Sequence, residues 1–177
     1  MNFSSQQNSY GGLTGIEVVL FQPRIPQNTG NIGRLCVGFG AQLCLIHPLG
    51  FSLESRLLKR AGLDYWSFLK YQQYSSFPEF MLSRLHRTAV CISKYGSTTI
   101  YDHSFSADTL LVFGNETDGF PEMLTEKYRI QRLNIPMAGN IRSYNLANSA
   151  AIVLSEVWRQ RYASVLSDQK KTTGSSG

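Results

Sequence analysis

Short apolar runs rich in β-branched residues alternate with helical segments along almost the whole chain. Each run is bounded by turn residues. It lacks the alternating polar residues of a strand with one solvent-exposed face, so it predicts a strand buried on both sides. Alternation of such strands with helices predicts an α/β fold around a mainly parallel sheet. The predicted strands cover residues 16–21, 42–46, 66–71, 88–93, 110–113 and 130–135.

The predicted helices cover residues 31–39, 53–62, 78–86, 121–127 and 145–162. The last of them carries apolar residues on every face over positions 150–154, which predicts burial on all sides. A terminal helix on a small monomer normally leaves one face in water. We therefore expect this helix to be threaded through the fold, covered by a second subunit, or both.

Length and composition indicate one folded domain. The chain has 177 residues, of which 42% are hydrophobic and 16% charged, enough apolar material for a core. We expect a disordered lead-in over residues 1–15, the domain over 16–162 and a flexible tail over 163–177. The formal net charge of +5 suits a polyanionic partner, although many soluble proteins carry a similar excess by chance.

Several classes of protein and site are disfavoured by the sequence. No run approaches the ~18 apolar residues of a membrane span, and the N-terminus lacks the basic and apolar regions of a secretory signal. A cytoplasmic location is therefore expected. The three cysteines form no CxxC pair and lie in apolar contexts, which predicts buried free thiols. The three histidines lack ligand spacing, so we predict no metal site.

Three polar loops each follow a predicted strand, at the edge where open α/β sheets bind ligands. The first, QNTGNIGR over residues 27–34, places Asn28 and Arg34 at the start of a helix. Gly30 and Gly33 could allow the backbone to approach a phosphate or ribose closely. The alternative interpretation is an asparagine helix cap followed by a surface arginine.

The second and third loops carry further polar groups. FGNETDGFP, over residues 113–121, places Glu116 in a tight glycine loop, which a turn with a capping acid would also explain. In the third, over residues 135–148, Ser143 precedes the last helix and could be a simple N-cap. More hydrogen-bonding side chains crowd that turn than a cap requires, namely Arg142, Ser143, Asn145 and Asn148.

Five segments, in this order, resemble the SPOUT methyltransferases, most closely the TrmL family of tRNA wobble-nucleotide 2′-O-methyltransferases. They are PRIPQNTGNIGRLC, HPLGF, KRAGLDY, FGNETDGFP and IPM…RSYNLANSAA…EVWRQ. The resemblance covers about residues 16–160. It implies S-adenosylmethionine as cofactor and methyl transfer to the wobble ribose of tRNA, with leucine isoacceptors as expected substrates. It also implies a deep trefoil knot and a homodimer with the cofactor site near the interface.

The resemblance also assigns roles to particular residues. Those implied to hold the cofactor are Ile92, Gly114, Glu116, Ile135, Ser143 and Leu146. Those implied to be catalytic are Asn28, Arg34, Ser143 and Asn145. Three positions depart from the family pattern: Asn115 stands in place of a proline, Asp118 in place of an arginine and Tyr144 in place of a methionine.

Transfer of a methyl group to a ribose requires loss of the 2′-hydroxyl proton, and the three loops contain no histidine or cysteine to accept it. The family proposal that Arg34 is the base conflicts with a guanidinium pKa above about 12. Our hypothesis is that Arg34 orients the 2′-oxygen and its phosphate. The candidates for phosphate contacts are Arg24, Arg56, Lys59, Arg60 and Arg142. A solvated amphipathic face is the alternative for the three within residues 56–60.

Other functions remain open at this point. The shared motifs also fit a 2′-O-methyltransferase of another RNA, such as ribosomal RNA. An RNA-binding paralogue without catalysis is a second alternative, motivated by the departures at Asn115 and Asp118. A nicotinamide-dependent dehydrogenase is disfavoured because the GxGxxG fingerprint is absent from the sequence.

Overall fold

The computed structural model describes residues 11–53 and 65–173. Its strands are β1 (Glu17–Phe21), β2 (Gln42–Ile46), β3 (Tyr71–Tyr74), β4 (Ala89–Ile92), β5 (Thr98–Thr99), β6 (Leu110–Phe113) and β7 (Gln131–Asn134). Its α-helices are α1 (Pro26–Phe39), α2 (Phe77–Leu82), α3 (Glu122–Lys127) and α4 (Leu146–Thr173), and Trp66–Phe68 form a 3₁₀ turn. The helix predicted over residues 53–62 falls almost wholly outside the described residues.

The strands form one sheet in the order β3-β2-β1-β6-β4-β7-β5. Strand β1 lies inside it, with Val19 opposite Cys44 of β2 on one side and Val112 of β6 on the other. Every strand pair among the described residues is parallel. The predicted α/β fold with a mainly parallel sheet is confirmed, and the trefoil knot implied by the resemblance stays a prediction.

Both faces of the sheet are covered, as the side chains of β1 show. Val18 and Leu20 belong to a hydrophobic cluster that includes residues of α1 and α4. Val19 and Phe21 belong to a second cluster, which includes residues of α2. Because successive side chains of a strand point to opposite faces, β1 is buried on both sides. This explains its continuous run of apolar residues.

The strand predicted over residues 66–71 is wrong. The structure has the 3₁₀ turn there, and β3 begins only at Tyr71. Aromatic residues favour strands in general. Here, however, the buried residues are Tyr65 and Leu69, four positions apart, with exposed residues between them. A strand would place Ser67 on the same face as these two residues and bury it, but Ser67 is exposed, so the pattern fits a helical turn.

Two smaller differences concern short elements. The helix predicted over residues 78–86 ends at Leu82, after which the chain turns so that Arg84 reaches the buried carboxylate of Glu17. Strand β5 was not predicted, because two residues are too few to show a periodicity. The remaining predicted strands agree with the structure to within one residue at each end.

Helix α4 extends to Thr173, well past the predicted end at residue 162. Its buried apolar face includes Ala147, Ala150, Val153, Leu154 and Val157. Ala151 and Ile152 stay partly exposed. Burial on all sides is therefore wrong for the single chain, because residues three and four apart share one helix face and only that face meets the core.

The amino-terminal edge of the sheet holds a buried ion cluster. The carboxylate of Glu17 accepts a hydrogen bond from Arg84 Nε at 2.8 Å and pairs with Arg87 through its other oxygen. Cys44 Sγ lies 3.2 Å from the same carboxylate, and Arg84 also donates to the Tyr74 hydroxyl. Removing charges from water costs several kcal/mol per ion, so the two arginines depend on Glu17 as their counter-charge.

All three cysteines are buried and unpaired, which confirms the prediction of free thiols. Burial raises the pKa of Cys36 and of Cys91 to about 12, so both thiols stay protonated and unreactive near neutral pH. Near the start of the described chain, Leu13 is fully buried although it lies in the predicted lead-in. Across residues 11–53 and 65–173, no helix has the length and apolar character needed to cross a bilayer.

Candidate active site

The carboxyl ends of β4, β6 and β7 open into one cavity of about 470 Å³. These strands are neighbours in the sheet, and their carboxyl edge is where open α/β sheets bind ligands. The volume lies within the range of small-molecule sites, roughly 300–1,000 Å³. Its lining includes every residue predicted to hold the cofactor: Ile92, Gly114, Glu116, Ile135, Ser143 and Leu146.

The loop after β6 is shaped by its own hydrogen bonds. Asn115 and Gly119 exchange two backbone bonds, of 3.2 and 3.1 Å. Asn115 Oδ1 also accepts bonds from the amides of Thr117 and Asp118 at 3.0 and 2.7 Å. A proline at position 115 has neither the amide hydrogen nor the side-chain oxygen. The departure from the family pattern at Asn115 therefore builds the loop by a different set of contacts.

Gly114 lies where this loop closes against the end of β6. A Cβ at that position would lie 2.1 Å from the carbonyl carbon of Gly119 and 2.2 Å from the amide nitrogen of Phe120. Both contacts are with backbone, which cannot rotate away as a flexible side chain can. The cavity wall therefore has its present position only with glycine at 114.

Glu116 holds the start of helix α1 from the second loop. Its carboxylate accepts bonds from the backbone amides of Arg24 at 2.9 Å and Ile25 at 3.2 Å, and from Asn28 Nδ2 at 2.9 Å. Ile25, at the N-cap position of α1, has no side chain able to cap the helix. Glu116 thus supplies both the missing acceptor and a negative charge at a helix N-terminus. The interpretation of Glu116 as a capping acid is correct, with the cap made across loops.

The start of α4 is capped by Asn145. Its Oδ1 accepts a bond from the amide of Ala147 at 2.9 Å, and its Nδ2 donates to Asn28 Oδ1 at 3.0 Å. The alternative in which Ser143 is the N-cap is wrong, because Asn145 occupies that position directly before Leu146. Ser143 is exposed and lines the cavity.

Asn28 joins the three polar loops into one network. It is 4% exposed, and its amide donates to Glu116 in the second loop while its carbonyl accepts from Asn145 in the third. Both ends of a buried amide are therefore satisfied, as burial of a polar group requires. Three predicted site residues from distant parts of the sequence meet at this point.

Replacing Asn28 with aspartate is expected to weaken cofactor binding by about tenfold to hundredfold. The change puts a carboxylate oxygen where the amide now donates to Glu116, and an unsatisfied buried polar pair costs about 1–3 kcal/mol. Calorimetric titration with S-adenosylmethionine measures the effect. Asn148→Asp, the same chemical change at an exposed position in the first turn of α4, serves as the control. Equal affinities for the two variants would contradict the role given to Asn28.

The first loop differs from its prediction. Helix α1 begins at Pro26 and not at residue 31, so Gly30 and Gly33 lie inside the helix and not in a phosphate-binding turn. The Gly30 carbonyl accepts a hydrogen bond from the Tyr65 hydroxyl. A Cβ on Gly33 would lie 3.0 Å from Leu69 Cδ2. Gly33 therefore leaves room for α1 to pack against the segment before β3, and both glycines lie in a helix where a turn was predicted.

Arg34 points away from the cavity of its own chain. It follows Asn28 by six positions, which turns the two side chains about 120° apart around the helix. The Arg34 side chain is exposed, and its guanidinium carbon lies 4.8 Å from the centroid of the Tyr65 ring. Among the described residues that line the cavity, Arg34 is absent. Asn28 and Asn145 are brought together at the cavity, and Arg34 is not.

The predicted RNA contacts have different surroundings. Arg142 is exposed and lines the cavity. Arg24 is also exposed, but its Nη2 lies 2.5 Å from Asp118 Oδ2 in an ion pair. The other three predicted contacts, Arg56, Lys59 and Arg60, lie outside the described residues.

Sequence reasoning missed some residues that line the cavity. Lys94 and Tyr95 come shortly after the end of β4 at Ile92, with the Lys94 nitrogen 4.9 Å from the centroid of the Tyr95 ring. Their place after a predicted strand was the signal that could have found them. Met137 follows β7 in the same way. Within the described part of the chain, no group of three histidine, cysteine or acidic residues is placed to bind a metal ion.

Comparison with known sequences gives consistent matches. Residues 15–155 match the SpoU rRNA Methylase family. A protein of Listeria monocytogenes is 46% identical over 147 residues, covering 81% of this chain and 87% of its own. A protein of Methylovorus glucosotrophus, named tRNA (cytidine(34)-2′-O)-methyltransferase, is 43% identical over 145 residues, covering 81% of this chain and 94% of its own.

Solved structures give the same picture. One described as giving structural insights into 2-OH methylation of C/U34 on tRNA has a TM-score of 0.80 and 39% identity, covering 84% of this chain and 97% of its own. The SpoU methyltransferase AviRb of Streptomyces viridochromogenes, in complex with AdoMet, has a TM-score of 0.71 and 29% identity, covering 82% of this chain and 57% of its own.

Proposed function

The chain belongs to the SpoU rRNA methylase family, and we propose that it methylates the ribose 2′-oxygen of the wobble nucleotide, position 34, of tRNA. S-adenosylmethionine is the methyl donor, and leucine isoacceptors are the expected substrates. The observation that carries the proposal is a single cavity lined by every predicted cofactor residue and bordered by the Asn28–Asn145 hydrogen bond. Relatives named for this reaction support the choice of RNA.

The lining of the cavity suits S-adenosylmethionine. Ile92, Ile135 and Leu146 provide apolar surface for an adenine ring, and backbone groups of Ile135 and Leu146 are proposed to bond its edge. At Gly114 there is no space for a side chain, so the cavity wall at that position is backbone. When bound, the cofactor supplies a methyl group activated by a positively charged sulfur.

The protein's own contribution is alignment. Bound S-adenosylmethionine would supply the methyl group, with S-adenosylhomocysteine as the leaving group and the hydroxyl proton passing to solvent, so the residues of the site would have to hold the ribose 2′-oxygen in line with the methyl group. Holding the reactants in line is worth about 7–11 kcal/mol. We assign this task to Ser143 and Asn145 at the start of α4, together with Arg34. Glu116 is not assigned the proton, because its carboxylate already accepts three hydrogen bonds.

Arg34→Lys is expected to lower turnover by about tenfold or more. Lysine keeps the positive charge but lacks the planar fork that can hold a ribose oxygen and a phosphate together, and a charged hydrogen bond contributes about 1.5–3 kcal/mol. Single-turnover methylation of tRNA measures the effect. Arg132→Lys, at an ion pair with exposed Glu122, is the control. Turnover close to that of the unmodified chain in Arg34→Lys would refute the orienting role.

RNA binding is proposed to use the cationic rim of the cavity. Arg142 and Lys94 both line it, so an RNA that delivers a ribose to the cavity brings phosphates within their reach. Arg56, Lys59 and Arg60 stay predictions, as their positions lie outside the described residues. The proposed catalytic domain covers residues 16–162.

The proposal includes a homodimer and a cytoplasmic location. A second copy would explain two features that the single chain leaves open. One is the partly exposed face of α4 at Ala151 and Ile152. The other is the direction of Arg34, which faces away from its own cavity and would need a neighbouring subunit to meet a substrate. Sedimentation analysis of the purified chain tests the dimer.

The deciding experiment is methyl incorporation from labelled S-adenosylmethionine into tRNA lacking the wobble modification, followed by nuclease digestion and mass spectrometry. A 2′-O-methyl group at position 34 is the expected product. Incorporation into ribosomal RNA but not tRNA would favour the other enzymatic function. Cofactor binding without transfer to any RNA would favour a non-catalytic RNA-binding protein.

A further inference from the structure

The ion pair between Arg24 and Asp118 lies at the mouth of the cavity. Asp118 and Ile25 both line the cavity, and Arg24 adjoins Ile25 in the chain. Arg24 Nη2 and Asp118 Oδ2 are 2.5 Å apart, while their side chains are 50% and 61% exposed. The pair therefore faces the solvent through which an RNA must approach.

Both partners are held in place through their backbones. The amide of Arg24 donates to Glu116 Oε2 at 2.9 Å, and the amide of Asp118 donates to Asn115 Oδ1 at 2.7 Å. Glu116 and Asn115 belong to the same loop as Asp118. The two charged side chains consequently start from fixed positions on facing segments, which lowers the entropy lost on pairing.

The other basic side chains of the rim differ from Arg24 in their ion pairing. Lys94 and Arg142 line the same cavity, and neither forms an ion pair within the described part of the chain. Among the described residues, the cavity mouth thus has two cations available to a polyanion, Lys94 and Arg142, and a third, Arg24, whose charge is offset by Asp118. Arg24 was predicted from sequence as a phosphate contact, on the basis of its own charge alone.

We propose that Asp118 withholds Arg24 from the RNA, so that the pair remains a neutral unit in the complex and the RNA backbone passes over the Arg142 and Lys94 side of the mouth. Asp118 then lowers the affinity for RNA by cancelling the charge of Arg24. The inference rests on the proposed function, since it concerns how the substrate RNA of this same cavity is recognised.

The expected effects of the ion pair on stability and on RNA binding differ in size, and this difference decides which measurement is informative. An ion pair this exposed contributes little to stability, so removing it should leave the melting temperature almost unchanged. An added phosphate contact, by contrast, changes the dependence of RNA affinity on salt by about 0.7 in the slope of log K against log salt for a single strand. Salt-dependent binding is therefore the informative measurement.

The experiment measures the dissociation constant of unmodified tRNA at several potassium chloride concentrations. It compares the unmodified chain with Asp118→Asn, Arg24→Gln and the double variant. Backbone bonds to Glu116 and Asn115 are kept in all of them. We expect Asp118→Asn to bind about threefold to tenfold more tightly at low salt, with a slope steeper by about 0.7. Arg24→Gln should bind more weakly, and the double variant should return to the affinity and slope of the unmodified chain.

Two results would overturn the inference. The first is a double variant as weak as Arg24→Gln with a slope shallower by about 0.7, because Arg24 would then leave Asp118 and contact a phosphate. The second is an Asp118→Asn variant that binds as the unmodified chain does. Absence of tRNA binding by the unmodified chain would instead refute the proposed function, and the inference with it.

Discussion

Replacing Gly114 with alanine should weaken S-adenosylmethionine binding by about a hundredfold. The new methyl group would lie 2.1 and 2.2 Å from backbone atoms of Gly119 and Phe120, so the loop after β6 has to move outward. A displacement of about 1 Å in a positioning element can cost about a hundredfold in rate, and we expect a loss of this order in cofactor affinity. Isothermal titration with the cofactor measures the loss directly, without need for RNA.

The control for this variant is Gly139→Ala. Gly139 lies in the third loop, and a Cβ there meets no atom within 4 Å, so its cofactor affinity should be unchanged. For Gly114→Ala itself, the melting temperature measured without cofactor should change little in comparison with the large loss of cofactor affinity. The reason is that a surface loop moves while the sheet stays intact. Cofactor affinity near that of the unmodified chain in Gly114→Ala would show that the loop does not form the binding wall.

Glu17→Gln should lower the free energy of unfolding by about 3–5 kcal/mol. The change removes the counter-charge of Arg84 and Arg87, whose side chains are only 10% and 13% exposed. Breaking one side of a buried ion pair leaves an uncompensated buried charge, with a cost of this order. For a chain of this length the melting temperature should fall by about 10 °C, as thermal denaturation followed by circular dichroism would record.

Glu122→Gln gives the matched comparison. Glu122 also pairs with an arginine, Arg132, but its side chain is 69% exposed. Its removal should change stability by less than about 1 kcal/mol. Similar losses for both variants would mean that burial does not set the strength of the Glu17 cluster.

The sheet could be predicted from sequence because its strands are buried on both faces. Leu110–Phe113, for example, is wholly apolar and wholly buried. A short, wholly apolar run of this kind is typical of a strand in the interior of a sheet covered on both faces. The segment at residues 66–71 has a weaker pattern, because aromatic side chains fit a helical turn as well as a strand. Burial of Tyr65 and Leu69 decides between the two, and that depends on where α1 lies.

The start of α1 could not be read from its own sequence. Local residues offer no cap, since Ile25 occupies the N-cap position. The acceptor is Glu116, 91 positions away along the chain. The same is true of the first turn of α4, where Ser143 and Asn145 are both suitable caps by residue type. The bond from Asn145 to Asn28, 117 positions away, accompanies the cap at Asn145.

The ion pairing of Arg24 shows a different limit of prediction from sequence. Its charge is visible in the sequence, but its partner Asp118 is 94 positions away. A list of basic residues therefore overstates the number of cations that an RNA meets. Arg142, which lines the cavity as an exposed side chain, is the kind of residue for which the sequence-based assignment and the structure agree.

The sheet, which is parallel at every strand pair in the described part of the chain, also bears on how the chain reaches its native state. A parallel pair cannot form as a local hairpin, because the chain must cross over before the second strand can align. Glu17 of β1 is paired with Leu110 of β6, so this pairing cannot form until the distant segment with β6 has reached β1. Contacts this distant in sequence slow folding and prolong the exposure of unpaired apolar strands. We therefore expect that expression yield and aggregation of this protein respond more strongly to temperature and chaperone supply than its native-state stability would suggest.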